Sequence, residues 1–483
     1  MPPPPGAFED GPRRWLALTV LMFAQAMITL DIVVVNVALP SAQKTLHIPP
    51  AGIQWVVTAY LLPFGALLLL GGRIADYTGR RRAFLLSALG FALASAIGGG
   101  AQTEALLFAS RALQGLFAAV MAPSLLSMLT LGFPDDRDRR IALALYTVVG
   151  ATGGALGLIL GGVLTQYLSW RWCLLINVPI SVLVVAGGAR LLPESRAGGR
   201  PHYDLFGAAA ATLGVLGLIY GISRAAVVGW GQPETLVPIA IGLAVLAGFL
   251  FWEARIDDPL LPLALLRNRT RAAGLLAVGG AFGPSAGMLL ILLVFLQSAQ
   301  HESPLTAGIV FLPYPLAAAL AAAIVLPLLG RLPPRPILLT AALIAAAGSL
   351  LLIRLEVGSG YAWLLLPALA VFSGGIGVMF LAGNSMALTD VPTDDSGVVG
   401  AAVNAIQQIA GALATAVLAT VAASGESHYL ASHGNGSVPA AITHGDHVAV
   451  VVVAALYVLV GVICAAVAPS ERLKPVAAST LLR

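Results

Sequence analysis

"WLALTVLMFAQAMITLDIVVVNVAL" (residues 15–39) carries one charge, Asp31. A helix of this length extends roughly 37 Å, more than the ~30 Å hydrocarbon core of a bilayer. The apolar residues do not alternate with polar ones, as they would in a barrel strand. The stretch therefore reads as a transmembrane helix, with Asp31 roughly 24 Å along it from Trp15. The whole chain agrees: of 483 residues, 58% are hydrophobic and 10% are charged, where a soluble domain carries about 25% charged residues. Mean hydropathy is +0.92.

Charged, Pro-rich and Gly-rich breaks divide the chain into about fourteen spans, at 15–39, 53–72, 83–100, 105–131, 141–165, 172–192, 205–224, 236–254, 272–297, 305–328, 336–353, 362–386, 398–423 and 447–468. The expected fold class is an all-α polytopic membrane protein. Pro313 and Pro315 leave open whether 305–328 is one helix or two pieces. With both termini inside, about twenty-one Lys and Arg fall on the cytoplasmic side, including Arg13, Arg14, Arg73, Arg80, Arg81, Arg82, Arg200, Arg267 and the C-terminal tail. Lys44, Arg171, Arg224 and Arg354 fall outside. This is the positive-inside bias, so the net charge of +4 reflects topology and not nucleic-acid binding. Juxtamembrane contact with anionic lipid follows from the same charges.

"MPPPPGAFEDGPRR" (1–14) reads as an unstructured polar tail. The apolar run after it is too long for a signal-peptide core. Cys173 and Cys464 fall inside spans and read as small buried residues.

Several chemistries are disfavoured. The only lysines, Lys44 and Lys474, do not follow a glycine, so there is no P-loop and no ATP hydrolysis through one. The longest loop, 424–446, is too short for a soluble domain; a solvated loop accounts for His428, His433, His444 and His447. "GPSAG" (283–287) matches the nucleophile elbow in letters only, because that motif needs a strand, a sharp turn and a helix. No enzyme, cofactor or metal site is expected.

Asp31 and Arg111 stand well inside spans. A charge at the bilayer centre costs about 2.5–3.5 kcal/mol on insertion scales, so such residues face a cavity or a partner and mark a pathway. A structural ion pair orienting two helices is the alternative. Burial and a guanidinium neighbour push a carboxyl's ionisation in opposite directions, which suits a proton carrier.

"GGRIADYTGRRRAF" (71–84) resembles the loop signature between helices two and three of the major facilitator superfamily, matching at Gly72, Asp76, Gly79, Arg80 and Arg81. "RALQGLFAA" (111–119) resembles its fourth-helix motif, matching at Arg111, Gln114, Gly115 and Ala119. "LDIVVVNVALP" (30–40) and "WRWCLLINVP" (170–179) are similar to first- and sixth-helix segments of the fourteen-helix drug:proton antiporter family, with Val33 and Val34 where threonine and isoleucine are usual. "FGAAAATLG" after Asp204, "LQSAQHESPLTAGIVFLP" (296–313) and "NAIQQIAGAL" (404–413) extend the resemblance over nearly the whole chain. In "GGALGLILGG" (153–162), Gly153, Gly157 and Gly161 share one helix face, with Gly162 beside them, and admit a neighbouring backbone closely. This resembles the antiporter signature, except that Leu158 stands where proline is expected.

The resemblance implies two six-helix bundles, 15–192 and 272–468, flanking a two-helix insertion (193–271), with cytoplasmic tails at 1–14 and 469–483. It implies a multi-pass protein of the plasma (inner) membrane with its substrate site near midplane. The implied function is a proton-coupled efflux antiporter exporting lipophilic drugs or small metabolites by alternating access. Its partners are that substrate, protons and membrane lipids, without ATP or nucleic acid. Asp31 and Arg111 are the expected proton-coupling residues. Gly72, Asp76, Gly79, Arg80 and Arg81, with the glycines of 153–162, are the expected conformational switch. Asn36, Gln54, Gln114, Asn384, Asn404, Gln407 and Gln408 are candidate cavity residues, although helix-to-helix hydrogen bonding explains each equally well. A proton symporter or a uniporter on the same fold is the alternative, favoured by Leu158. One proton crossing 100 mV gains about 2.3 kcal/mol, and exchange for a monovalent cation cancels that gain. Because the C-terminal spans, as drawn, hold no acid or base, neutral, zwitterionic or weakly charged lipophiles are expected over dications.

Overall fold

A computed structural model describes residues 8, 11–49, 52–196, 204–256, 259, 268–329, 331–358, 360–389, 391, 396–433 and 437–470. Arg200, Arg267 and the tail from 471 onward, which contribute to the charge bias, lie outside the described residues. Fourteen helices among the described residues are long and apolar enough to cross a membrane. They are α1 (Pro12–Leu46), α2 (Trp55–Thr78), α3 (Arg80–Gly99), α4 (Glu104–Gly132), α5 (Asp136–Tyr167), α6 (Trp172–Leu191), α7 (Leu205–Val228), α8 (Pro233–Glu253), α9 (Arg269–Val294), α10 (Pro304–Leu328), α11 (Pro334–Leu351), α12 (Leu366–Ala387), α13 (Ser396–His433) and α14 (Val438–Val467). Strand pairing among the described residues is limited to an isolated bridge between Leu329 and Leu332.

Proline sets the internal breaks. Pro313 has no N–H to donate and its ring crowds the carbonyl four residues back, so α10 divides into Pro304–Val310 and Pro313–Val325. Pro179 acts likewise on α6, which divides into Trp172–Leu175 and Asn177–Leu191. Large apolar side chains such as Leu86, Leu93, Leu183 and Leu320 are about three-fifths exposed, a surface suited to acyl chains and not to water.

The chain divides into two compact units: residues 1–214, 245–260 and 303–309 form one, and 215–244, 261–302 and 310–483 the other. In the first, α2 packs on α4, α1 on α5, and α3 on α4. In the second, α9 packs on α13, and α11 on α12 and α14.

Three sequence expectations are corrected. Phe8 is buried rather than part of a loose tail; its N–H donates to Gly132 O (3.0 Å) and its ring meets Phe133 edge-on. α1 begins at Pro12, so Arg13 and Arg14 are helical. The loop expected at 424–446 is mostly helix: α13 runs to His433 and α14 starts at Val438. His428, His433, His444 and His447 therefore lie on helices, and so do Glu426 and Asp446. The premise that the C-terminal helices hold no acid fails with that loop. Cys173 and Cys464 are buried free thiols, as expected.

Candidate functional site

α4 brings Arg111 to Asp31 through the spacing of its motif. Arg111, Gly115 and Ala119 recur every four residues and so form one ridge. A methyl on Gly115 would stand 2.2 Å from Tyr60 O, and one on Gly71 2.2 Å from Ala119 O. Glycine at both places lets the α2 and α4 backbones touch, which brings Arg111 against Val56 and Tyr60. α5 braces α1 on its other side. A methyl on Gly153 would meet Thr29 Oγ1 at 2.3 Å, one on Gly157 would meet Val33 Cβ at 3.0 Å, and one on Gly161 would meet Val34 O at 2.8 Å. The glycine face thus brackets Asp31, while Gly162 abuts Leu305 and Leu158 is buried where its carbonyl faces Gly308.

Asp31 is 0% exposed and Arg111 2%. Arg111 Nη1 donates to Asp31 Oδ2 at 2.6 Å. Asp31 Oδ1 accepts from Gln114 Nε2 at 3.0 Å and from Asn177 Nδ2 at 2.7 Å. Gln114 Nε2 also donates to Ser95 Oγ (2.7 Å). Arg111 has further holds: Nε donates to Val56 O (3.1 Å), Nη1 to Gln114 Oε1 (2.9 Å), and its guanidinium lies over the Tyr60 ring at 4.4 Å. Five helices of one unit, α1, α2, α3, α4 and α6, thereby meet around one carboxylate. The nearby crevice at Val35, Leu39, Val56, Leu107, Trp170 and Leu174 is apolar.

Of the expected proton-coupling and cavity residues, Asp31, Arg111 and Gln114 are brought together. Asn36, Asn384 and Asn404 each donate to a carbonyl of their own helix, at Ile32 (3.1 Å), Phe380 (2.8 Å) and Gly400 (3.0 Å). Gln54 is buried at the start of α2; in α13 Gln408 is buried and Gln407 half-buried. Asn177, Ser95 and Tyr60 complete the network unforeseen. Asn177 sits in the quoted "WRWCLLINVP", and a polar residue beside a helix-breaking proline was the available signal.

At the α2–α3 turn, Gly79 has φ +111°, a region L side chains avoid. Asp76 pairs with Arg80 four residues on (Nε–Oδ1 2.8 Å, Nη2–Oδ1 2.6 Å). The free N–H groups at the α3 start go to Glu194, which accepts from Arg81 N and Arg82 N, both at 3.2 Å. A methyl on Gly79 would meet Glu194 Oε1 at 2.7 Å. The Arg81 side chain donates to Ala189 O. Gly72 faces Pro123 at ordinary contact distance.

The profile of the Major Facilitator Superfamily matches residues 21–415. The puromycin resistance protein of Streptomyces alboniger is 42% identical over 438 residues, covering 90% of this chain and 86% of that protein. The cephamycin export protein of Amycolatopsis lactamdurans is 39% identical over 428 residues, covering 86% and 87%. A solved bacterial homologue of the human lysosomal transporter Spinster, inward-facing and unoccupied, has TM-score 0.70 at 14% identity over 97% of this chain and 100% of that one. With the profile spanning most of its length and fourteen membrane-length helices, the chain belongs to the major facilitator superfamily of transporters.

Proposed function

We propose that the chain is a proton-coupled antiporter of the plasma membrane, with cytoplasmic termini, that exports lipophilic antibiotic-like molecules by alternating access. Asp31 carries the proton and Arg111 positions it. The names of the relatives, puromycin resistance and cephamycin export, support outward drug movement. The observation that carries the reading is the sealed Asp31 carboxylate, which accepts from Arg111, Gln114 and Asn177. A proton on Asp31 cancels its attraction for Arg111. Arg111 then keeps Val56 O, Gln114 Oε1 and the Tyr60 ring, so the cation is not stranded. Protonation therefore loosens α1 from α4 at modest cost, the bias that alternating access requires. Gly79 and the α5 glycines serve as the moving contacts. Asn36, Gln54, Asn384, Asn404, Gln407 and Gln408 supply polar contacts to substrate.

The test is accumulation of puromycin and of lipophilic dyes in cells making the native chain or Asp31→Asn at equal membrane levels. Lower accumulation is expected with the native chain and its loss with the variant; equal efflux by both would overturn the assignment of Asp31. Leu158, with α5 unbroken across it, favours a symporter or uniporter as the second reading. The direction of proton movement in inverted vesicles separates it from antiport.

A further inference from the structure

α13 and α14 cross through two glycines, each followed by an acid. A methyl on Gly445 would stand 2.3 Å from Ala422 O and 3.1 Å from Glu426 N; one on Gly425 would stand 2.9 Å from Gly445 Cα. The crossing thus brings the backbone at Gly445, next to Asp446, against that of Glu426. Asp446 is 8% exposed, and its buried Oδ2 has no hydrogen-bond partner among the described residues. Glu426 is half-buried. An unpartnered carboxylate oxygen at that depth is costly, and two carboxylates in one low-dielectric site do not readily ionise together.

From these contacts we propose that Asp446 is a second proton-binding site, separate from Asp31, whose carboxyl holds its proton at neutral pH with Glu426 as the neighbouring acid. A proton on Asp446 removes the buried charge that Oδ2 leaves unpartnered and one of two neighbouring like charges. A metal ion fits poorly, because no cluster of three or more His, Cys, Asp or Glu side chains is found among the described residues.

The surrounding titratable groups are few. α13 carries His428, Tyr429 and His433, and α14 carries His444 and His447. Of the other elements packed on α14, the 3₁₀ turn Leu352–Arg354 offers Arg354, with Glu356 just beyond, and the π turn Phe295–Ala299 is followed by His301 and Glu302. Arg269, Arg271 and Arg335 stand at the opposite ends of their helices, and Arg269 and Arg335 reach Ala466 O and Ala468 O. His447 is engaged with Leu355 O at 2.8 Å.

The site stands whether or not the chain is an antiporter, so its test reads protonation directly. Full-length protein in lipid nanodiscs is titrated by infrared difference spectroscopy of the carboxylic C=O stretch, in an Asp31→Asn background that removes the carboxyl of the first site, and the band is assigned by its loss on substitution. A protonated-carboxyl band persisting at neutral pH is expected, lost in Asp446→Asn and titrating at lower pH in Glu426→Gln, which removes the neighbouring like charge. A band indifferent to both substitutions, or none at neutral pH, overturns the proposal. Should Asp446→Asn fail to fold, Glu426→Gln alone decides, since an unmoved titration excludes Asp446 beside Glu426 as the source of the band.

Discussion

Arg111 and Asp31 are each other's only charge partner among the described residues, so removing one strands the other unequally. Arg111→Ala leaves Asp31 with two amide donors and is expected to cost about 3–5 kcal/mol, the range for breaking a buried pair. Asp31→Asn is expected to cost less, because Arg111 retains a carbonyl, an amide oxygen and an aromatic face. Thermal unfolding of the purified protein measures both, and a harmless Arg111→Ala would refute the network as drawn. At the α2–α3 turn, Gly79→Ala forces an L residue into φ +111° against Glu194 and is expected to cost about 1–3 kcal/mol. Glu194→Ala, which frees two N–H groups at the start of α3, is expected to cost about 1 kcal/mol. Equal stability of both variants and the native chain in the same assay would count against this capping. Asp31, Arg111 and Gln114 were legible in the sequence because charge and amide are rare in apolar runs and two of them lie in one motif. Glu194 was not, since nothing local ties residue 194 to residues 81 and 82. Ser95 and Tyr60 were hidden because small hydroxyls and tyrosines occur in helices without any site.

Between helices, single methyl groups decide the packing. Gly115→Ala places a carbon 2.2 Å from Tyr60 O, and backbone cannot move aside as a flexible side chain does. The expected outcome is a sharp fall in monodisperse protein on size-exclusion chromatography. Gly72→Ala, whose nearest neighbour would be Pro123 Cβ at 3.5 Å, is expected to purify like the native chain. If both behave alike, the α2–α4 contact is not close-packed as described. Span number was legible because hydropathy reports lipid-facing length. The ends of α13 and α14 were not, because helices extending past the hydrocarbon become polar, as the histidine-rich stretch from His428 to His447 does. The hydropathy minimum there reads as a loop although the backbone is helical to His433 and again from Val438. That misreading also hid Glu426 and Asp446.

Across the whole molecule, the superfamily's order of helices distributes ionisable groups sparingly. The first unit seals Asp31 against Arg111 as a buried ion pair, and the second places two acids where α13 and α14 cross. The central claim is that the Asp31 proton is exchanged for substrate. Proteoliposomes with a trapped pH indicator, challenged with substrate in the absence of any other gradient, test it most directly. The account predicts substrate-driven proton movement opposite to the substrate with the native chain, and none with Asp31→Asn at equal protein content. Native-sized proton movement through Asp31→Asn, or proton movement in the substrate's own direction, would contradict it.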